Sequence, residues 1–344
     1  MSHRCFGSAI VLTVMAAVVG LATVPVTGQA PSGARGAAAA QRTYTPPRTP
    51  DGQPDLQGFW TNGTYTPLER PKNVTKPFYT REEAIEVAKR AAASEAEQTE
   101  PGTIADVHYD FTQFGLDRSQ GPMELNLRTS LIVDSADGRL PPLSAEGQKR
   151  AAERAEAARR LGGRWDSAES NQLDDRCIIM RAGPPMLSGT YNNNLQIVQA
   201  PGYVMILVEM IHDVRVIPLD GRAQPPAGIR QWMGVSRGRW EGNTLVVETT
   251  NFNGRNPLEG SSEHMRLTER FTREDEETIR YQFTVDDPAT WSRPWSAELG
   301  MKKTVGPIFE HACHEGNYGL YNTLAGARLD EKRAAEEAKK KGSN

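Results

Sequence analysis

The chain has 344 residues, of which 38% are hydrophobic and 24% charged, with a formal net charge of −3. That length suffices for one large β domain with additions or for two modest domains, and the apolar content allows a sizeable core. No dense Lys/Arg cluster is interleaved with aromatic residues, which argues against a nucleic-acid surface.

Residues 1–30 carry the three parts of a secretory leader: Arg4, an apolar run from about Ala9 to Val24, and small residues at Gly28-Gln29-Ala30. Export with cleavage after Ala30 is expected, to the periplasm or beyond. An uncleaved anchor fits less well, since the run is shorter than the roughly 20 apolar residues a spanning helix needs. Cys5 precedes the run, which leaves Cys177 and Cys313 in the mature chain. In an oxidising compartment such a pair reads first as a disulfide, with two separate buried thiols as the alternative. A ring of roughly 136 residues would contribute up to about 4–5 kcal/mol in the chain-entropy model.

Residues 31–50 are rich in Ala, Gly, Pro and Thr and read as a flexible lead. Asp55 to Trp60 (DLQGFW) then contains Gly58-x-Trp60, a triplet that often begins the first strand of a small-molecule-binding β-barrel. Thr80-Arg81-Glu82-Glu83 is a capping box, and a thinly apolar helix is expected from there to about Ala96. Asp106 to Leu116 is aromatic but irregular. Leu125 to Val133 alternates well enough for a strand, with turn chemistry at Asp134 to Gly138. Ser144 caps a second helix running to Leu161, polar on nearly every side and so expected as a surface arm, and Gly162-Gly163 stops it.

From Asn194 onward, short apolar runs alternate with turn residues. Strands are expected near 195–199, 203–210, 213–219, 232–240, 243–250, 264–272, 277–285, 294–302 and 306–311. No helical crossovers interrupt them, so the sheet should be antiparallel. The fold class expected is mainly β: an up-and-down meander closing into a calycin-like barrel or a sandwich, with peripheral helices. The division of the chain is then a leader (1–30), a lead (31–50), a strand plus a helical and irregular segment (51–165), the β domain (166–325) and a charged tail (326–344).

Period two places Met265, Leu267, Glu269 and Phe271 on one strand face. It likewise places Tyr203, Met205, Leu207 and Glu209 together, so Glu269 points with its apolar set, and Glu209 follows its neighbours inward or ends the strand at the rim. A buried carboxylate needs a partner or a proton, and Arg215, Arg237, Arg239 and Arg176 are the candidates. His212-Asp213, beside Glu209 and Arg215, falls at a tight turn. It has the groups for acid-base catalysis, with Glu209 or Glu269 as partner and Arg215 to hold an anion, and it equally suits a plain solvated turn. Trp232, Trp240, Tyr281 and Trp295 offer stacking surfaces for an apolar ligand, or are simply core. Cys313-His314-Glu315 adds polar groups that a disulfide would bring near Asp174-Asp175-Arg176, with His314 as a candidate contact. Neither HExxH nor paired CxxC spacing occurs, so no metal or other cofactor is expected, and no Gly-x-Ser-x-Gly marks a nucleophile.

The segments TPDGQPDLQGFW from Thr49, DRCI, YNNNLQIVQAPGYVMILVEMIHDVRVIPLDGR, SRGRWEGNTLVVETTNF, ERFTR, TVDDP, RPWSAE and ACHEGNYGL together resemble a group of exported bacterial proteins of unknown function. The resemblance spans nearly all of the mature chain and implies export and a single fold, with no reaction attached. His212, Cys177, Cys313 and His314 fall on the group's pattern positions, whereas His264 and His311 do not. Three functions follow as expectations: binding of a small apolar or aromatic molecule in a barrel cavity; an acid-base hydratase, isomerase or hydrolase on the same scaffold; or an envelope module whose helices dock an unknown protein partner.

Overall fold

The computed structural model describes residues 44–95, 123–160, 166–180, 183–189 and 191–342, all within one unit. The expected leader, most of the lead, Asp106 to Leu116 and Gly162-Gly163 lie outside the described residues.

Nine strands form one sheet: β1 (Gly58–Thr61), β2 (Asn194–Ala200), β3 (Tyr203–Val208), β4 (Val214–Pro218), β5 (Val235–Glu241), β6 (Thr244–Thr250), β7 (Arg266–Arg273), β8 (Thr278–Asp286) and β9 (Trp295–Lys303). Their order is β4-β3-β2-β1-β9-β8-β7-β6-β5, and every hydrogen-bonded neighbour is antiparallel. The sheet is a meander nearly closed into a barrel. An odd number of alternating strands must bring two of the same direction together at closure, and these are β4 and β5. Side chains rather than a ladder close that seam: Arg215 reaches Ser236, while Ile217 and Leu219 press on Gly238, where a Cβ would meet them at 2.8 and 2.6 Å.

The lumen is packed. Trp60, Phe271, Tyr281, Phe283 and Trp295 are fully buried, and Phe271–Tyr281, Tyr281–Phe283 and Phe283–Trp295 pack as tilted or edge-to-face pairs at centroid distances of 5.0, 5.7 and 5.7 Å. Each such pair adds about 0.5–1.5 kcal/mol to its area burial. At one end the strands join by tight hairpins, with Gly202 and Gly242 at positive φ. There the Arg273 guanidinium lies 5.6 Å from the Trp60 ring centroid and donates to Asp55 O, while the Trp60 indole N–H donates to Leu56 O. Gly58, at φ 129, starts β1, so the Gly-x-Trp triplet does begin the first strand.

The opposite end carries the long connections and is the loop end. It is stoppered by Met186: its N–H donates to Tyr281 Oη at 3.0 Å and its carbonyl accepts from Asn62 Nδ2 at 2.9 Å. The Cys177–Cys313 disulfide is formed and anchors the start of this stopper segment.

Four expectations are corrected. Residues 306–311 form no strand, because β9 is already paired with β8 and β1 and Pro307 has no N–H to offer; Val305 and Phe309 stand exposed. Leu125 to Val133 is not a regular strand: β1 is short, and only Leu131 to Val133 fill the uncovered edge of β9, through Val133 N–H to Ser296 O and Glu298 N–H to Leu131 O. In β3 the inward set is Val204, Ile206 and Val208, not Tyr203, Met205 and Leu207. The charged tail, expected from residue 326, belongs to a helix that begins ahead of it at Tyr318, capped by Asn317 Oδ1.

Three helices flank the sheet among the described residues: α1 (Arg81–Glu95), α2 (Ala145–Arg160) and α3 (Tyr318–Gly342). The capping box is made, with Thr80 N–H to Glu83 Oε2 at 2.8 Å and Glu83 N–H to Thr80 Oγ at 3.2 Å. Helix α2 is exposed along most of its length, as expected of a surface element, and docks through a few contacts. Gly147 sits so close to Thr290 O that a Cβ would approach it to 2.4 Å, Arg150 donates to Ala289 O, and Arg154 donates to Gly260 O and Ser261 O. Among the described residues no helix is long and apolar enough to cross a membrane.

Candidate functional site at the loop end

Backbone strain singles out one end of the barrel. The non-glycine residues with φ between 46° and 59° are Cys177, Asn192, Ile211, His212, Asn251 and Glu259, and all sit in loop-end connections. A left-handed backbone is costly for any L-residue and most of all for a β-branched one such as Ile211. Such residues gather where a surface is held in a fixed shape for a purpose.

Three segments build a cleft there of about 320 Å³, walled by Met180, Leu187, Trp232, Phe252, Leu258 and Met265, with Asp174, Arg255 and Glu259 among its polar residues. Residues 172–180 and 183–187 supply one wall, residues 252–265 another, and Trp232, from the connection between β4 and β5, a third side. The Leu187 that lines it is the neighbour of the stopper Met186, so the cleft lies over the closed lumen. Of the aromatic residues expected to meet a ligand, Trp232 lines this cleft. Tyr281 and Trp295 are wholly buried in the lumen, and Trp240 is half-buried on β5. His314 is exposed, just past the disulfide.

Below the cleft lies a buried polar group. Arg215 from β4 crosses to Glu269 on β7, with Nη1 to Oε1 at 3.0 Å and Nη2 to Oε2 at 2.6 Å; the two side chains are 2% and 0% exposed. Tyr281 Oη donates to Glu269 Oε1 at 2.8 Å, and Arg215 Nη2 also reaches Ser236 Oγ. Burial, the largest influence, works against the Arg215 charge, but the Glu269 carboxylate outweighs it and holds the guanidinium charged. Burial drives the Tyr281 hydroxyl well above its ordinary range, and the neighbouring Glu269 charge adds to this. Both oxygens of Glu269 are therefore engaged by Arg215 and Tyr281.

His212 and Glu209 occupy a different place, the rim turn between β3 and β4. The Glu209 carboxylate accepts from Asn194 Nδ2 at 2.9 Å, and burial raises its pKa against the lowering effect of those bonds. His212 is exposed, with Nδ1 3.3 Å from His311 O. His311, which sequence reasoning had set aside, accepts the Ile211 N–H at Nδ1 at 3.2 Å. No contact joins His212 to Glu269. Burial, followed by the His212 charge, lowers the His311 pKa. A histidine held below its unfolded value near 6.5 contributes stability that is present above that pH and lost as the pH falls through the folded value. Protonation would also set an N–H against the Ile211 N–H. Denaturant unfolding from pH 7.5 to 5 should show falling stability in the native sequence and a flatter profile in His311→Gln; parallel profiles would remove His311 from the rim's support.

Sequence reasoning missed most of the cleft. Met180, Phe252 and Leu258 lie in segments without helical or strand periodicity, Met265 was placed with the inward face of its strand rather than in a cleft, and the segments that line the cleft are distant in sequence. Among the described residues no group of three or more His, Cys, Asp or Glu side chains is arranged to hold a metal ion. Comparison of the chain with protein-family models, with curated proteins and with solved structures gives no match.

Proposed function

We propose that this chain is an exported binding protein that takes a small apolar or aromatic molecule at the loop end of its barrel, in the cleft over the stopper rather than in the lumen. The cleft itself carries the reading. Its volume of about 320 Å³ falls at the small end of ligand pockets, and its lining mixes apolar side chains with Gln172, Asp174, Arg255, Asn256 and Glu259, polar groups that can fix a ligand's orientation. Trp232 and Phe252 supply flat surfaces, and the thioethers of Met180 and Met265 adapt to a ligand's shape. The lumen is a poorer host, being filled by packed rings and the Arg215–Glu269–Tyr281 group. Export draws its support from the leader pattern and from the disulfide, which persists in oxidising compartments.

Titration with 4-methylphenol, followed by backbone and indole N–H NMR shifts, tests the reading. Shifts should concentrate at Trp232, Phe252 and residues 179–187, and Trp232→Ala should weaken binding about tenfold. Shifts spread evenly over the surface, or an unchanged affinity in Trp232→Ala, would overturn it.

A further inference from the structure

The charges of the cleft narrow the ligand class, an inference that rests on the binding proposed above. Asp174 is half-buried among the apolar walls. Its Oδ1 accepts the Asp175 N–H at 2.9 Å, while Oδ2 has no partner among the described residues. Arg255 and Glu259 stand exposed in the same lining, so Asp174 is the described carboxylate set deepest among the apolar side chains. A carboxylate oxygen left open beside apolar surface is a strong acceptor for a charged donor, because little water competes for it. Trp232 and Phe252 line the same space, and aromatic faces attract cations and repel anions. We infer that the cleft selects an organic ammonium ion with an apolar or aromatic body: the amine meets Asp174 Oδ2 and the body lies against Trp232 and Phe252.

Three probes of one shape separate this inference from the cleft itself: 3-phenylpropylamine, 3-phenylpropan-1-ol and 3-phenylpropionate, each titrated calorimetrically into the unaltered protein near pH 7. The amine should bind about tenfold or more tighter than the alcohol, with the carboxylate weakest. In Asp174→Asn, which keeps an oxygen for the Asp175 N–H, the amine should fall to the level of the alcohol while the alcohol is unchanged. Equal affinities for all three probes would overturn the charge selection and leave the apolar cleft standing. The carboxylate binding tightest would overturn it in favour of Arg255. Binding of none of the three would overturn both readings.

Discussion

Replacing Glu269 with alanine should lower the unfolding free energy by about 3–5 kcal/mol, the cost of leaving one partner of a buried ion pair uncompensated. Arg215 would keep its charge inside the lumen with only Ser236 and Thr249 hydroxyls near Nη2, and its Nε already has no hydrogen-bond partner. Tyr281 would lose the acceptor that orients its hydroxyl beneath the Met186 N–H. A double variant, Arg215→Met with Glu269→Leu, should recover most of the loss, since a buried pair replaced by apolar side chains of similar volume is often neutral in stability. Urea unfolding of Arg215→Met, of Glu269→Leu and of the double completes the cycle. A double variant as unstable as Glu269→Ala would show that the pair does not act as a unit. The pair joins β4 to β7 beside the seam that lacks a ladder, so its loss should also loosen the β4–β5 closure.

The second large effect belongs to the disulfide. Removing it by Cys177→Ser with Cys313→Ser should cost about 2–5 kcal/mol, since the bond closes a ring whose ends are 136 residues apart. Its structural effect should be local. The bond ties the segment that forms one cleft wall and the stopper to the chain entering α3, and Asn317 Nδ2 reinforces this with a bond to Asp175 O at 2.9 Å. Hydrogen exchange in the double-serine variant should therefore accelerate first in residues 172–188, while β6 to β8, packed on the aromatic cluster, keep their protection. Acceleration spread evenly over the barrel would contradict that division. A weakened cleft in the same variant links the oxidising compartment expected from the leader to the binding proposed here.

Much of the architecture was legible because most strands alternate clearly. In β7 the pattern RLTERFTR admits one inward face, and the structure buries Leu267, Glu269 and Phe271 as expected. In β3 the run YVMILV is apolar at every position, so period two could not say which set faces the lumen; the pairing with β2 and β4 decides it, sending Met205 outward opposite Val198 and Val216. Glu269 was expected inside with an arginine, but four arginines were candidates. Only closure of the barrel brings Arg215, 54 residues away in the chain, across to it. His311 left no trace, because its role is one long-range bond to a strained backbone amide. The cleft was least legible of all, being assembled from irregular loops whose proximity exists only once the sheet has curled.

Crystals of the protein soaked with 4-methylphenol give the most direct view of whether the loop-end cleft is the binding site. The expected result is ligand density between Trp232 and Phe252, with Met186 still bonded to Tyr281 and the lumen unchanged. Density within the lumen with Met186 displaced, or an empty cleft at saturating ligand, would contradict it.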